Sequence, residues 1–251
     1  MRPVRLLHPR LTPLRDRGVE DIDFVVFREN TEGAYCGAGG FLKRGTDDEI
    51  ATQEELNTRR GVERIIVAAF EYALARGRKR VTMCDKSNVQ RFGGDLWQRV
   101  FRETAESYPG IEANHQYVDA TAMHMVLNPA QFDVIVTNNL FGDILTDLGA
   151  ALQGGLGLAA SGNIHPGRVS LFEPVHGSAP PLAGKGIANP AGAIISSALM
   201  LEYLGHDGAA RAVERAVAAC VAEGETTRDL GGTLSTTEAG AAVRARIAGE
   251  S

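Results

Sequence analysis

The sequence predicts an α/β fold with crossover connections, and three observations carry that prediction. Short apolar runs rich in β-branched residues recur at 22–27 (IDFVVF), 80–83 and 133–137 (DVIVT), the pattern of strands covered on both faces. Helical periodicity marks 62–75, 96–107, 143–152, 193–204, 209–222 and 237–247. Strand and helix signals alternate along the chain instead of segregating, as a parallel sheet with crossovers requires.

Taken in order, each apolar run leads into polar residues. The first opens into Arg28-Glu29-Asn30-Thr31-Glu32-Gly33-Ala34-Tyr35. Residues 41–53 (FLKRGTDDEIATQ) alternate around a turn and read as a projecting hairpin. The run at 80–83 leads to Asp85-Lys86-Ser87-Asn88, and Tyr117-Val118-Asp119 reads as the end of another strand, ahead of the apolar stretch 122–127. The run at 133–137 ends at Asn138-Asn139-Leu140-Phe141-Gly142-Asp143, where a helix begins. Glycine and proline then crowd 154–190, which reads as mostly ordered loop, and loops of that length are usually functional. A boundary is expected near Gly154, dividing 1–153 from 154–251.

Composition sets limits. With 44% hydrophobic and 23% charged residues over 251 positions, the chain can bury a core. Its net charge of -5 offers no broad basic surface, which argues against nucleic acid as a partner. No stretch approaches a membrane span and the first residues lack the apolar centre of a signal peptide, so a cytoplasmic location is expected. Cys36, Cys84 and Cys220 are too far apart for a zinc or redox motif and read as buried free thiols.

The chemistry concentrates at strand ends, where open α/β sheets place their sites. Asp143 and Asp147, four apart, share one helix face. They either hold a hard cation such as Mg²⁺ or Mn²⁺, or Asp143 caps the helix and Asp147 is solvated. Asp119 is a third ligand or an N-cap. Lys86 is a proton acceptor or a surface lysine paired with Asp85. Arg28 grips a carboxylate or pairs with Glu29; Tyr35 relays a proton or sits in the core. The segment Glu173-Pro174-Val175-His176-Gly177-Ser178-Ala179-Pro180 suits a diphosphate or ribose. No G-x-G-x-x-G occurs, so a Rossmann phosphate turn does not explain that segment.

Together RENTEGAY, DKSN, YVDA, NLFGDILTD, GGLGLAASGNI, FEPVHGSAP and GKGIANP resemble the isopropylmalate, isocitrate and homoisocitrate dehydrogenase family, which includes tartrate dehydrogenase. The resemblance implies a two-domain fold whose first hundred or so residues would precede Arg2. It implies NAD-dependent oxidative decarboxylation of a 2-hydroxy dicarboxylic acid, 3-isopropylmalate first and tartrate or malate next. Carried over by position, Tyr35 and Lys86 become catalytic, and Arg2 and Arg28 bind the substrate carboxylates. Asn88, His176, Gly177, Ser178, Ala179 and Asn189 bind NAD. Asp119, Asp143 and Asp147 bind Mg²⁺ or Mn²⁺, with Asp119 serving the opposite subunit of a homodimer. Residues 1–153 become the substrate, metal and dimerisation domain, and 154–251 the C-terminal part of the cofactor domain. Pro181 stands where NAD-using members have a ribose-binding aspartate. The competing expectation is a non-catalytic fragment or dimerising subunit of the same family. On either reading the chain by itself is expected to reduce little NAD, with the upstream segment restoring turnover.

Overall fold

The computed structural model describes residues 1–249. The strands are β1 (Arg2–Arg5), β2 (Asp23–Arg28), β3 (Gly39–Leu42), β4 (Ile50–Gln53), β5 (Arg80–Asp85), β6 (Glu112–Tyr117), β7 (Val134–Thr137), β8 (Ala160–Asn163) and β9 (Leu171–Pro174). The helices are α1 (Arg59–Ala75), α2 (Arg91–Ala105), α3 (Val118–Leu127), α4 (Asn139–Gln153), α5 (Ala191–Tyr203), α6 (Asp207–Glu223) and α7 (Thr236–Gly249). Helix α7 extends two residues beyond the predicted 237–247.

The chain forms two compact units, Phe24–Thr146 and a discontinuous unit of Met1–Asp23 with Asp147–Ser251. The division therefore does not fall at Gly154. The reason lies in the N-terminal residues, which are bonded into the second unit. The Met1 ammonium donates to Gly162 O at 2.7 Å, Arg5 Nη1 reaches Glu214 at 2.9 Å, and Arg10 donates to the carbonyls of Val221 and Leu230.

In the first unit β2, β7, β5 and β6 pair in that order, all parallel, with Val25 opposite Val134, Thr82 opposite Ile135 and Val81 opposite Ala113. Phe24, Val25, Val26 and Phe27 are all buried, as are Val134 to Val136, so both faces of the central strands are covered and their continuous apolar runs follow. Helices α1 and α2 pack on each other, and Phe70 meets Phe101 and Tyr108 at ring-centroid distances of 5.5 and 5.0 Å. Thr58 caps α1 by accepting from Gly61 N. The expected hairpin is present as β3 and β4, antiparallel, with Phe41, Leu42 and Ile50 exposed.

In the second unit α5 packs on α6 and on the antiparallel pair β8–β9. Its core joins Leu158, Ala191, Val217, Val221, Leu230 and Val243. Two strands thus stand in a stretch expected to be mostly loop; Ala160-Ser161-Gly162-Asn163 of β8 carries no apolar alternation to announce it. The thiol expectation needs one correction: Cys84 and Cys220 are buried, but Cys36 is exposed. Burial pushes the Cys84 thiol up to about 12. Among the described residues no helix is long and apolar enough to cross a membrane.

Candidate active site

Parallel strands bring their C-terminal ends to one edge, and the first unit uses that edge for its reactive groups. Arg28 ends β2 opposite Thr137, the last residue of β7, and Asp85 ends β5 opposite Tyr117, the last residue of β6. Lys86 follows β5 directly, Asn138 leads from β7 into α4, and Asp119 lies in the first turn of α3. Side chains far apart in sequence therefore meet at one edge without long loops.

Arg28 is the most constrained of them. Its Nε and Nη2 donate to Asn139 Oδ1 at 2.9 and 2.7 Å, and its Nη1 donates to Asp143 Oδ1 at 2.6 Å. Asn139 is itself held, donating from Nδ2 to Glu32 O at 2.8 Å. The arginine stem passes close over α4 because residue 142 is glycine. A Cβ there would lie 2.5 Å from Arg28 Cγ. Tyr35 OH donates to the other Asp143 oxygen at 3.1 Å, and Arg28 Cζ stands 5.3 Å from the Tyr35 ring centroid.

Three of the alternatives raised by the sequence fail here. Glu29 is not the partner of Arg28: it is buried and accepts from Thr31 and from Arg64 Nη2 at 3.0 Å. Tyr35 is not a core residue, being exposed. Asp143 does not cap α4, since Asn138 Oδ1 accepts from Phe141 N at 2.9 Å and Asp143 lies a turn further along. Asp147 follows one turn later on the same helix and is exposed.

Lys86 pairs not with Asp85 but with Asp119, Nζ to Oδ1 at 2.7 Å. That hydrogen bond holds the Asp119 carboxyl below the usual carboxylate range. Asp119 lies inside the first turn of α3, two residues past the N-cap position held by Tyr117, so it is not an N-cap. Asp85 is buried and faces His115, Gln98 and the Ser87 N–H instead. Among the described residues no three metal-ligating side chains converge. Asp143 and Asp147 lie four apart on α4, with both Asp143 oxygens accepting from Arg28 and Tyr35, while Asp119 is committed to Lys86 in its own chain.

In the second unit His176 Nδ1 lies 2.7 Å from Gly177 O, and the backbone is left-handed at Gly177 (φ 66°) and at Ala179 (φ 41°). Ser178 between them is exposed, as is Pro181 in the short 3-10 turn Pro180–Leu182. Asn189 accepts from Ala191 N at 2.9 Å and donates to Asp229 Oδ2 at 2.9 Å, so its amide is fixed before any ligand arrives. Arg2 lies in β1, half-buried, and Asn88 is exposed just after Lys86. Sequence reasoning missed Asn139, Gly142, His115 and Asp229. The tandem Asn138-Asn139 was the one available signal, since two amides at a strand-to-helix junction supply one cap and one spare group.

Comparison with known proteins places this arrangement. The family model described as isocitrate/isopropylmalate dehydrogenase matches residues 1–243. The chain is 51% identical over 250 residues to 3-isopropylmalate dehydrogenase of Thermobifida fusca (strain YX), covering 99% of the chain and 70% of the relative. It is 49% identical over 253 residues to 3-isopropylmalate dehydrogenase of Frankia casuarinae, covering 99% and 72%. Among solved structures it resembles isocitrate dehydrogenase from Methylococcus capsulatus, with TM-score 0.89 and 43% identity over 98% of this chain and 72% of that one. It also resembles the TT0538 protein from Thermus thermophilus, with TM-score 0.88 and 41% identity over 98% of this chain and 49% of that one.

Proposed function

This chain belongs to the isocitrate/isopropylmalate dehydrogenase family of decarboxylating dehydrogenases, and from that premise we propose that it serves the NAD-dependent oxidative decarboxylation of 3-isopropylmalate. The observation that carries the proposal is a pairing at one sheet edge: Arg28 locked by Asn139, and Lys86 held beside a carboxylate. Tartrate and malate come next as substrates. The 3-isopropylmalate dehydrogenases to which the chain is about half identical favour the first.

The roles follow from position. Arg28 presents a planar fork that meets a substrate carboxylate bidentately in place of Asp143, and Arg2 is assigned a second carboxylate by its match to the family. Lys86 accepts the proton of the 2-hydroxyl. Tyr35, with its hydroxyl already donating at this site, returns a proton to the carbon that loses CO₂. The donor chemistry at Asp143 and Asp147 fits Mg²⁺ or Mn²⁺; the match to the family assigns Asp119 from a second copy of the chain to that site, and Lys86, 2.7 Å from Asp119 in its own chain, would enter it together with that carboxylate. Bound there, such a cation would supply Lewis-acid polarisation of the substrate oxygens. His176, Gly177, Ser178, Ala179 and Asn189 would hold the adenosine side of NAD, and Asn88 the nicotinamide side that receives the hydride. The tight turn at Gly177 and Ala179 fits that use, although Pro181 offers the ribose no hydrogen-bonding side chain. A shared site requires a homodimer. The exposed apolar residues of β3–β4 and of the α3 and α4 faces, Phe41, Leu42, Met123, Leu127 and Ile144, supply surface for one.

The test is a substrate panel. Since the chain spans about 70% of its relatives' length, it is assayed joined to the additional segment of one of them, with Mn²⁺ and either NAD⁺ or NADP⁺. Absorbance of the reduced cofactor should rise fastest with 3-isopropylmalate and NAD⁺. Reduction confined to isocitrate with NADP⁺, or none with any acid, would reject the assignment. Light scattering on the chain itself is expected to give twice the chain mass at micromolar concentration, and a stable monomer would remove the shared site.

A further inference from the structure

We propose that Asp85 and His115 act as a positioning pair for Lys86, with the Tyr117 ring as the link. The functional meaning of this pair rests on reading Lys86 as the proton acceptor, but the geometry does not. Asp85 is buried, and its Oδ1 accepts a hydrogen bond from His115 Nε2 at 2.7 Å and another from Ser87 N at 3.1 Å. Its Oδ2 accepts from Gln98 Nε2 at 3.0 Å. Burial pushes this carboxyl up, but the bonds from His115, Ser87 and Gln98 outweigh it and hold the group below its ordinary range. A buried carboxylate with three donors cannot turn without leaving them unsatisfied, so it fixes the imidazole.

Strand register carries the constraint onward. Met83 pairs with His115 and Asp85 with Tyr117, so Asp85 reaches His115 diagonally across the parallel pair. His115 and Tyr117 are two apart on β6 and project from one face. Their rings meet edge to face at 5.0 Å and 87°. Lys86 Nζ then lies 5.7 Å from the Tyr117 ring centroid, within cation–π range. The amine is therefore held from two sides, by Asp119 and by the tyrosine face. Asp119 is 69% exposed, so its attraction is screened, and the ring is a second support of comparable size. Tyr117 is itself 39% exposed. The His115 edge is what keeps its face turned to the lysine.

A plain strand-to-strand tie would use the same Asp85–His115 bond, and the two roles separate in the environment of Lys86. In the labelled full chain the Lys86 ε-methylene and ammonium resonances are assigned by their loss in K86M, and ring current should set them apart from other lysines. H115A and Y117L should each move them toward the exposed-lysine position, and the double variant should move them no further. H115Q keeps an N–H for Asp85 but no ring; it should fold even if H115A does not, and show the same shift. Unmoved resonances in a folded H115Q or Y117L, even with a lowered melting temperature, would overturn the proposal. In the dehydrogenase assay Y117L should lower kcat about tenfold with KM unchanged. Moved resonances with unchanged kcat would support the positioning and overturn instead the role given to Lys86.

Discussion

In the chain joined to the additional segment of a relative, Lys86→Met is expected to lower turnover by about 10³-fold, within the range that loss of a general base produces, while leaving fold and metal response in place. Methionine keeps an unbranched stem of similar length, so packing beside Tyr117 survives. What disappears is the nitrogen proposed to take the hydroxyl proton. Asp119 loses the hydrogen bond that depresses its carboxyl, but it is exposed, and water replaces that partner at little cost in stability. In the proposed site the substrate is held mainly through Arg28, which is bonded to Asn139 and Asp143 and not to Lys86, so KM should change little. The measurement is kcat and KM from reduced-cofactor absorbance, with circular dichroism as the fold control. A variant within threefold of the parent would show that Lys86 only neutralises Asp119.

The same residues show what a sequence can disclose about a site. Arg28, Lys86 and Asp143 were visible because each follows an apolar run whose β-branched residues had to be a covered strand. β6 was hardly visible, because Glu-Ala-Asn-His-Gln-Tyr is polar and half-exposed at the end of the strand order. With β6 indistinct, His115 was not recognised as a neighbour of Asp85. Partners were harder still. Arg28 meets Asp143 across 115 positions, and that contact depends on β2 lying beside β7, an order that periodicity does not encode. Local alternatives such as Arg28 with Glu29 or Lys86 with Asp85 looked credible for that reason, and both were displaced by partners supplied through sheet order. The family resemblance named the candidate residues, whereas their bonding came from the fold.

Asp143→Asn carries the other large effect, on metal binding. A ligand bound only by the native state stabilises it by linkage, about 2.7 kcal/mol at a hundredfold excess over its dissociation constant. Mg²⁺ or Mn²⁺ should therefore raise the melting temperature of the parent chain by several degrees. Asparagine keeps the shape of the side chain and an oxygen for the Arg28 fork, but it removes the anionic donor that a hard cation favours. It also removes the counter-charge of a guanidinium that is only 11% exposed, so the metal-free variant should itself melt lower. The decisive quantity is accordingly the metal-induced shift within each protein and not the melting temperature itself. In Asp143→Asn that shift should largely vanish. Asp147→Asn should weaken it while leaving metal-free stability near the parent's, because Asp147 is exposed on α4. If all three proteins respond to metal alike, Asp143 is no more than the anchor that holds Arg28 and Tyr35, and the cation must be sought elsewhere.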